Sequence, residues 1–138
     1  MRRLIIGMTG STGAIFGVRM LEALKGSEIE SHLIISKWAQ RTLEHETRYT
    51  VEQVRALASV VHSQGDMGAS ISSGSFKTDG MAVMPCSVHT LAGIANGYGE
   101  HLVLARRPVV DVGNHGAGDR LRRFHRDGVA AALPAHRA

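Results

Sequence analysis

The stretch RLIIGMTGSTG, residues 3–13, decides the fold expected for this chain. Its first half is an apolar, β-branched run, and its second half is a turn built from glycines and hydroxyl residues. A run of this kind that stops at a glycine turn predicts a buried parallel strand over residues 3–8. Apolar residues then recur at helical spacing through residues 14–25, and Gly26 follows, which predicts an amphipathic helix ending at a glycine.

The same alternation continues downstream. Further strands are predicted at residues 31–35, 60–61 and 80–84, and further helices at 38–46, 51–58 and 88–95. Thr50, followed by Gln53, has the spacing of a capping box at the start of the third helix. Strands that alternate with helices through short loops predict an α/β fold. We expect a doubly wound, mostly parallel sheet of the flavodoxin-like or Rossmann-like kind.

Small polar residues follow three of these strands at the point where each strand ends. Ser11 and Thr12 follow the first strand, Ser36 follows the second, and Ser87 follows the fourth. In doubly wound sheets, ligands bind at the carboxyl ends of the strands, near the point where strand order reverses. The sequence therefore predicts one binding site that these three turns line together.

The first of these turns, residues 7–13, is suited to an anion. Glycines let the backbone approach a ligand closely, free amides at the helix start favour a phosphate, and Thr9, Ser11 and Thr12 add hydroxyls. The glycines are spaced by three and no lysine follows, so the turn is neither a Walker loop nor a full dinucleotide fingerprint. From the residues alone, a tight turn that binds nothing stays open as the alternative.

Other candidate groups have plain structural explanations beside the functional ones. Ser87 to Thr90 can hold an anion or a flavin ring, or can simply cap a helix. Lys77, in the hydroxyl-rich loop 71–80, can meet a phosphate or face solvent. Glu46, at a predicted helix end, can be a surface carboxylate. Cys86, at an apolar strand end, is expected to be a buried and unreactive thiol.

The composition excludes several classes of protein. The length of 138 residues suits one domain, and no apolar run approaches the roughly 20 residues of a membrane helix. The apolar stretch near the start is too short for a signal peptide, so we expect a cytoplasmic protein. A single cysteine, with eight histidines at no metal-like spacing, predicts no metal site.

The net charge of +4 is confined to the end of the chain. Residues 1–105 carry nine basic and nine acidic side chains, whereas residues 106–138 carry seven arginines and three aspartates. The body therefore has no basic face, and no nucleic-acid partner is expected. We divide the chain into an α/β domain over residues 1–105 and a basic tail over 106–138. The tail, where only residues 109–112 have a strand pattern, can be a variant ending, a disordered arm or the product of a shifted reading frame.

Three stretches resemble the UbiX-type flavin prenyltransferases and the similar B subunits of phenolic-acid decarboxylase systems. They are RLIIGMTGSTGAIFGVRMLEAL, HLIISKWAQRTLEHET and ISSGSFKTDGMAVMPCSVHTLAGIANGY. The resemblance covers about residues 2–103, and its third stretch is long and specific. It implies a flavoprotein that binds FMN at a subunit interface of a homo-oligomer, commonly a dodecamer.

The resemblance also implies that the chain is an enzyme, a prenyltransferase, which transfers an alkyl group other than methyl. The dimethylallyl group of dimethylallyl phosphate joins N5 and C6 of FMN, and the product, prenylated FMN, passes to a UbiD-type decarboxylase of aromatic acids. Thr12, near the reacting flavin, and Glu46, which matches a proton-transferring carboxylate, are the implied catalytic residues. The implied FMN contacts are Gly10, Ser11, Thr12, Ser36, Ser87, Val88, His89 and Thr90.

The chain departs from the family pattern after Tyr98. Ala105 stands where the family has an arginine that contacts FMN, and no later tyrosine is present for the donor phosphate. The alternative to a prenyltransferase is therefore a non-catalytic FMN-binding subunit, or a truncated remnant of a hydroxyarylic acid decarboxylase system. A flavin-dependent cysteine decarboxylase ranks last, because its histidine motif is not evident.

Overall fold

The computed structural model describes residues 2–73, 75–96 and 130–132. Its strands are β1 (Arg2–Met8), β2 (Ile29–Ile35), β3 (Val60–Ser63), β4 (Gly80–Val83) and β5 (Ala130–Ala132). Its helices are α1 (Ala14–Leu24), α2 (Lys37–Glu46), α3 (Val51–Arg55) and α4 (Val88–Asn96), with a 3-10 turn at Ser70–Ser72. Within these described ranges, no helix is long and apolar enough to cross a bilayer.

The strands form one sheet in the order β3-β2-β1-β4-β5. β1 pairs in parallel with β2 and β4, β2 pairs in parallel with β3, and β5 runs antiparallel beside β4. The chain winds outward from β1 to β3 and then returns to the other side of β1, so strand order reverses between β1 and β4. The predicted α/β class and the doubly wound, mostly parallel sheet are confirmed.

β1 is central because apolar residues cover both of its faces. Ile6 and Met8 pack with buried residues of α1, α2 and α3 on one face. Ile5 packs with Ile71 on the opposite face, where Ile94 of α4 lies against the same cluster. A parallel strand buried on both sides is expected to be a continuous apolar run, as residues 4–6 are.

Two glycines fix the approach of α1 to the sheet. Gly13, directly before the helix, has a backbone φ angle of 107°, which residues with a Cβ rarely adopt. A Cβ on Gly17 would lie 2.6 Å from the carbonyl oxygen of Met84 and 2.9 Å from side-chain atoms of Met8. The start of α1 therefore lies directly against the carboxyl ends of β1 and β4.

Most element ends lie within two residues of the prediction, and two differences are larger. α3 ends at Arg55 rather than at residue 58, because the amides of Leu57 and Ala58 turn back to carbonyls three residues earlier. Residues 130–132 form β5 and join the sheet, although they lie in the segment that we separated as a tail. The rest of that segment, including residues 109–112, lies outside the described residues, and so do Tyr98 and Ala105.

Candidate functional site

The carboxyl edge of the sheet, where β1, β2 and β4 end, is held together by Thr9. This residue is buried, and its hydroxyl donates to the carbonyl oxygen of Pro85 over 2.6 Å. The same hydroxyl oxygen accepts from the amide of Ser87 at 2.7 Å, and the amide of Thr9 donates to Pro85 at 3.1 Å. Three hydrogen bonds thus join the turn after β1 to the turn after β4.

Ser36 brings the third turn to the same place. Its amide donates to the carbonyl oxygen of Met8 over 3.0 Å, which ties the end of β2 to the end of β1. Its hydroxyl accepts from the amide of Ala39 at 3.0 Å and caps α2. The hydroxyl-bearing turns after β1, β2 and β4 therefore meet at one edge of the molecule, beside the point where strand order reverses.

One face of α2 lies along the turn after β1. A Cβ on Gly10 would be 2.5 Å from the Cβ of Trp38, so glycine alone permits this contact. Four residues on, the hydroxyl of Thr42 lies 3.1 Å from the carbonyl oxygen of Gly10 and 3.0 Å from that of Trp38. Four residues further, Glu46 reaches the start of α1. The spacing of four keeps all three side chains on one face of the helix.

Glu46 occupies the amides that the sequence predicted to be free for a phosphate. Its Oε1 accepts from the amide of Gly13 at 2.9 Å and lies 3.4 Å from that of Ala14. A carboxylate there satisfies donors that a helix start leaves unpaired and is favoured by the helix dipole. The expectation of an open anion site at the start of α1 is therefore wrong for these two amides. Glu46 is exposed, but it is anchored rather than a loose surface group.

Ser11 and Thr12 form an arch between these contacts. Thr12 is exposed, whereas the hydroxyl oxygen of Ser11 is buried. In the part of the chain that the structure describes, Ser11 Oγ is the one buried side-chain oxygen or nitrogen that lacks a hydrogen-bond partner. Leaving such a group unsatisfied costs about 1–3 kcal/mol, so its presence needs an explanation.

The turn after β4 presents both hydroxyls and amides. Ser87 Oγ accepts from the amide of Thr90 at 3.2 Å and donates to the Thr90 hydroxyl at 3.0 Å, so the predicted helix cap is present. Val88 and His89, in the first turn of α4, are exposed, and helix geometry gives their amides no acceptor within the helix. The start of α4 therefore has the donors that an anion requires.

Known proteins share both this sequence and this fold. The family model described as Flavoprotein matches residues 1–106. The crystal structure of AnUbiX (PadA1) in complex with FMN and dimethylallyl pyrophosphate is 39% identical and has a TM-score of 0.79. That likeness covers 99% of this chain and 79% of the other. This chain is a UbiX-like member of the flavoprotein family.

Two further relatives of this flavoprotein agree with the resemblance found in the sequence. A probable UbiX-like flavin prenyltransferase from a Streptomyces species is 56% identical over 109 residues, which are 78% of this chain and 54% of that protein. The dodecameric FMN-dependent UbiX-like decarboxylase from Escherichia coli O157:H7 is 53% identical, with a TM-score of 0.74 over 76% of this chain and 57% of that one. The chain spans about half the length of the first three curated relatives it matches.

Three large apolar side chains of this flavoprotein are exposed at the carboxyl edge. Phe16, Trp38 and Val88 are 57%, 69% and 62% exposed, and each lies in the first turn of a helix that starts there. The guanidinium carbon of Arg41 lies 5.0 Å from the centre of the Trp38 ring, which places a cation over its face. The site is thus surrounded by apolar groups that water solvates poorly.

Cys86 and Lys77 are the remaining candidates, and neither takes part in the hydrogen bonds that join the three turns. Burial raises the pKa of the Cys86 thiol to about 11, as the expected unreactive cysteine requires. Lys77 is exposed, on the loop that packs on the face of the sheet opposite α1, α2 and α3. Among the described residues, no group of three or more His, Cys, Asp or Glu side chains has an arrangement that could hold a metal ion.

The sequence did not reveal two features of this flavoprotein's site. Thr9 was expected to offer its hydroxyl to a ligand, but the hydroxyl is fully used in joining two turns. Thr42 was not singled out at all. The signal that could have found it is its spacing of four from both Trp38 and Glu46, on a helix that begins at a predicted site turn.

Proposed function

We propose that this chain binds FMN at the carboxyl edge and transfers a dimethylallyl group to it. The observation that carries the proposal is the buried hydroxyl of Ser11, which lacks a partner within the described residues and lies where the three turns meet. A bound flavin that accepts from or donates to this oxygen would remove the cost of its burial. The relative crystallised with FMN and dimethylallyl pyrophosphate supports both ligands.

The residues present fit the shape and charge of a flavin phosphate. The hydroxyl of Ser11 lies unpaired in the turn after β1, and Ser36 adds a hydroxyl that is so far engaged only as an acceptor. We place the phosphate at the start of α4, on the amides of Val88 and His89, because an anion is favoured there. The start of α1 is unsuitable, since the carboxylate of Glu46 already occupies it and would repel a second anion.

The protein's own groups would then orient the reactants and handle a proton. FMN, when bound, supplies the electron-rich ring atoms N5 and C6 that attach to the prenyl group. Thr12, exposed on the arch, is placed to contact the ring or the donor. Glu46 is the carboxylate nearest this arch that the structure describes, and it is our candidate for accepting the proton displaced from C6. The apolar groups around the edge would exclude water once covered.

The same relatives support a dimethylallyl donor and a multimeric assembly, and the family resemblance implies the recipient of the product. We propose dimethylallyl phosphate as the donor, whose carbon–oxygen bond breaks to release inorganic phosphate. The product, prenylated FMN, would be delivered to a UbiD-type decarboxylase in the cytoplasm. We also propose that this chain forms a homo-oligomer, since one relative is dodecameric. The subunit contacts of this chain would then cover the exposed side chains of Phe16, Trp38 and Val88. Light scattering of the purified chain should then show a multimer, and charged substitution of these three residues should yield monomers.

One incubation tests the activity. The purified chain is mixed with reduced FMN and dimethylallyl phosphate, and the flavin is extracted and weighed by mass spectrometry. We expect flavin that is heavier by one prenyl group. Recovery of no flavin at all on the protein would contradict the proposal.

A second candidate function is a non-catalytic FMN-binding subunit. It is favoured by the sequence, in which Ala105 stands where the resemblance implies an arginine that contacts FMN. In the same incubation, this candidate predicts protein-bound FMN of unchanged mass. Adding the prenylated product and finding it retained on the chain would further support a carrier role.

A further inference from the structure

Hydrogen bonds join the turn after β1 to α2 at two points. At one end the hydroxyl of Thr42 reaches the carbonyl oxygen of Gly10, and at the other Glu46 binds the amide of Gly13. Ser11 and Thr12 lie between these contacts. The conformation of the arch is therefore determined by side chains of α2 that lie more than thirty residues away in the sequence.

The Thr42 contact fixes the direction of one peptide group. The Gly10–Ser11 bond is not among the cis peptides of the described chain, so its carbonyl and its amide point to opposite sides. Thr42 holds the Gly10 carbonyl towards α2, and the amide of Ser11 must therefore point away from α2. A rotated peptide would turn this donor back towards the helix and would move the Ser11 hydroxyl with it.

From this geometry we infer that Thr42 is a positioning residue for the flavin. It acts through the Gly10–Ser11 peptide, by presenting the amide and the hydroxyl of Ser11 to the ligand. The inference rests on the proposed function, because it takes the ligand of the arch to be FMN. It adds to that proposal a residue on α2 whose side chain need not touch the flavin.

Thr47, at the C-terminal end of α2, provides a control that distinguishes a positioning role from an effect on helix stability. Thr47 donates to the carbonyl of Leu43 over 2.6 Å, just as Thr42 reaches the carbonyl of Trp38 over 3.0 Å. Both bonds span four residues, but only Thr42 also contacts the turn after β1. Thr47→Val therefore removes the same kind of local bond, together with a bond from the amide of Tyr49, and leaves both contacts between α2 and the arch in place.

The experiment compares FMN affinity in Thr42→Val, Thr42→Ser and Thr47→Val, in the full chain. Valine keeps the shape of threonine and removes the hydroxyl. Because one hydrogen bond contributes modestly, we expect Thr42→Val to raise the Kd for FMN about three- to tenfold. Thr42→Ser should restore the native Kd, and Thr47→Val should leave it unchanged. The visible circular dichroism of bound FMN should change in Thr42→Val alone.

Each outcome bears on the positioning role of Thr42 or on the proposed function. If the native chain binds FMN and Thr42→Val binds it equally well, or if Thr42→Ser fails to restore affinity, the positioning role is overturned while the proposed function stands. If Thr47→Val weakens FMN as much as Thr42→Val does, the effect is structural and the inference is also overturned. If the native chain binds no FMN, the proposed function fails and the inference fails with it. Should Thr42→Val not fold, Thr42→Ser and Thr42→Ala, which differ by the hydroxyl, give the same comparison.

Discussion

Single atoms decide the geometry of the carboxyl edge. The missing Cβ of Gly10 lets the turn after β1 lie against Trp38, and one hydroxyl, on Thr9, joins that turn to the turn after β4. Neither residue needs to touch a ligand to matter, because both set where Ser11 and the amides of α4 lie. Substitutions here should therefore change binding through position rather than through lost contacts.

Gly10→Ala should damage both stability and FMN binding. Its Cβ would lie 2.5 Å from the Cβ of Trp38, so either the turn or α2 must move. Overpacking of this kind costs about 1–3 kcal/mol in the free energy of unfolding, which urea denaturation measures. Gly65→Ala is the control, since a Cβ there would meet nothing within 4 Å. Equal stability of the two variants would contradict the close contact.

Glu46→Gln should separate binding from chemistry. The glutamine oxygen can still accept from the amides of Gly13 and Ala14, so the start of α1 stays capped and FMN affinity should remain close to native. A neutral amide cannot take up a proton, and the rate of prenyl transfer should fall by about a hundredfold or more. Prenylation at the native rate, measured by mass spectrometry over time, would remove Glu46 from the mechanism.

At the scale of one element, α3 depends on its capping box. The hydroxyl of Thr50 accepts from the amide of Gln53 at 3.2 Å, and the Gln53 side chain accepts from the amide of Thr50 at 2.9 Å. Thr50→Ala should lower the free energy of unfolding by about 1 kcal/mol. Glu52→Ala, which removes an exposed ion pair with Arg55, should change it by less than about 0.5 kcal/mol. Comparable losses in the two variants would show that the cap is not what stabilises this short helix.

Sequence patterns predicted some of these elements and contacts and missed others. The strand over residues 3–8 and the helix from residue 14 were predictable because apolar periodicity and a glycine turn are local signals. The meeting of the three hydroxyl-bearing turns was predictable because each follows a strand, and the carboxyl ends of parallel strands share one edge. The contact of Glu46 with α1 was not, since it depends on how α2 lies beside a turn far away in sequence. β5 was missed because three alanines carry no strand signal.

In the whole molecule, the contact between buried His32 and partly buried His62 makes stability depend on pH. His32 Nδ1 lies 2.9 Å from His62 Nε2, and His32 Nε2 lies 2.6 Å from Glu30. Burial lowers the pKa of His62 below its ordinary value of 6.5, and the charge of His32 lowers it further, although Asp66 opposes this. The unfolded chain therefore binds more protons than the folded chain just below that value.

Stability should accordingly fall as the pH falls through about 6.5, and the loss should level off below the folded-state pKa of His62. The free energy of unfolding, measured in urea from neutral to mildly acidic pH, should show this slope in the native chain. His62→Gln keeps a polar group at the site and should flatten the slope in that range. A native chain whose stability rises on acidification through the same range would contradict the assignment.

We propose that the turns after β1, β2 and β4 form one cradle for FMN. Amide hydrogen exchange, followed by mass spectrometry with and without FMN, tests it most directly. We predict that FMN slows exchange together at residues 10–12, 36–38 and 87–90, and leaves the edge strand β3 unchanged. FMN binding that protects only one of the three turns, or protects residues elsewhere, would contradict the account.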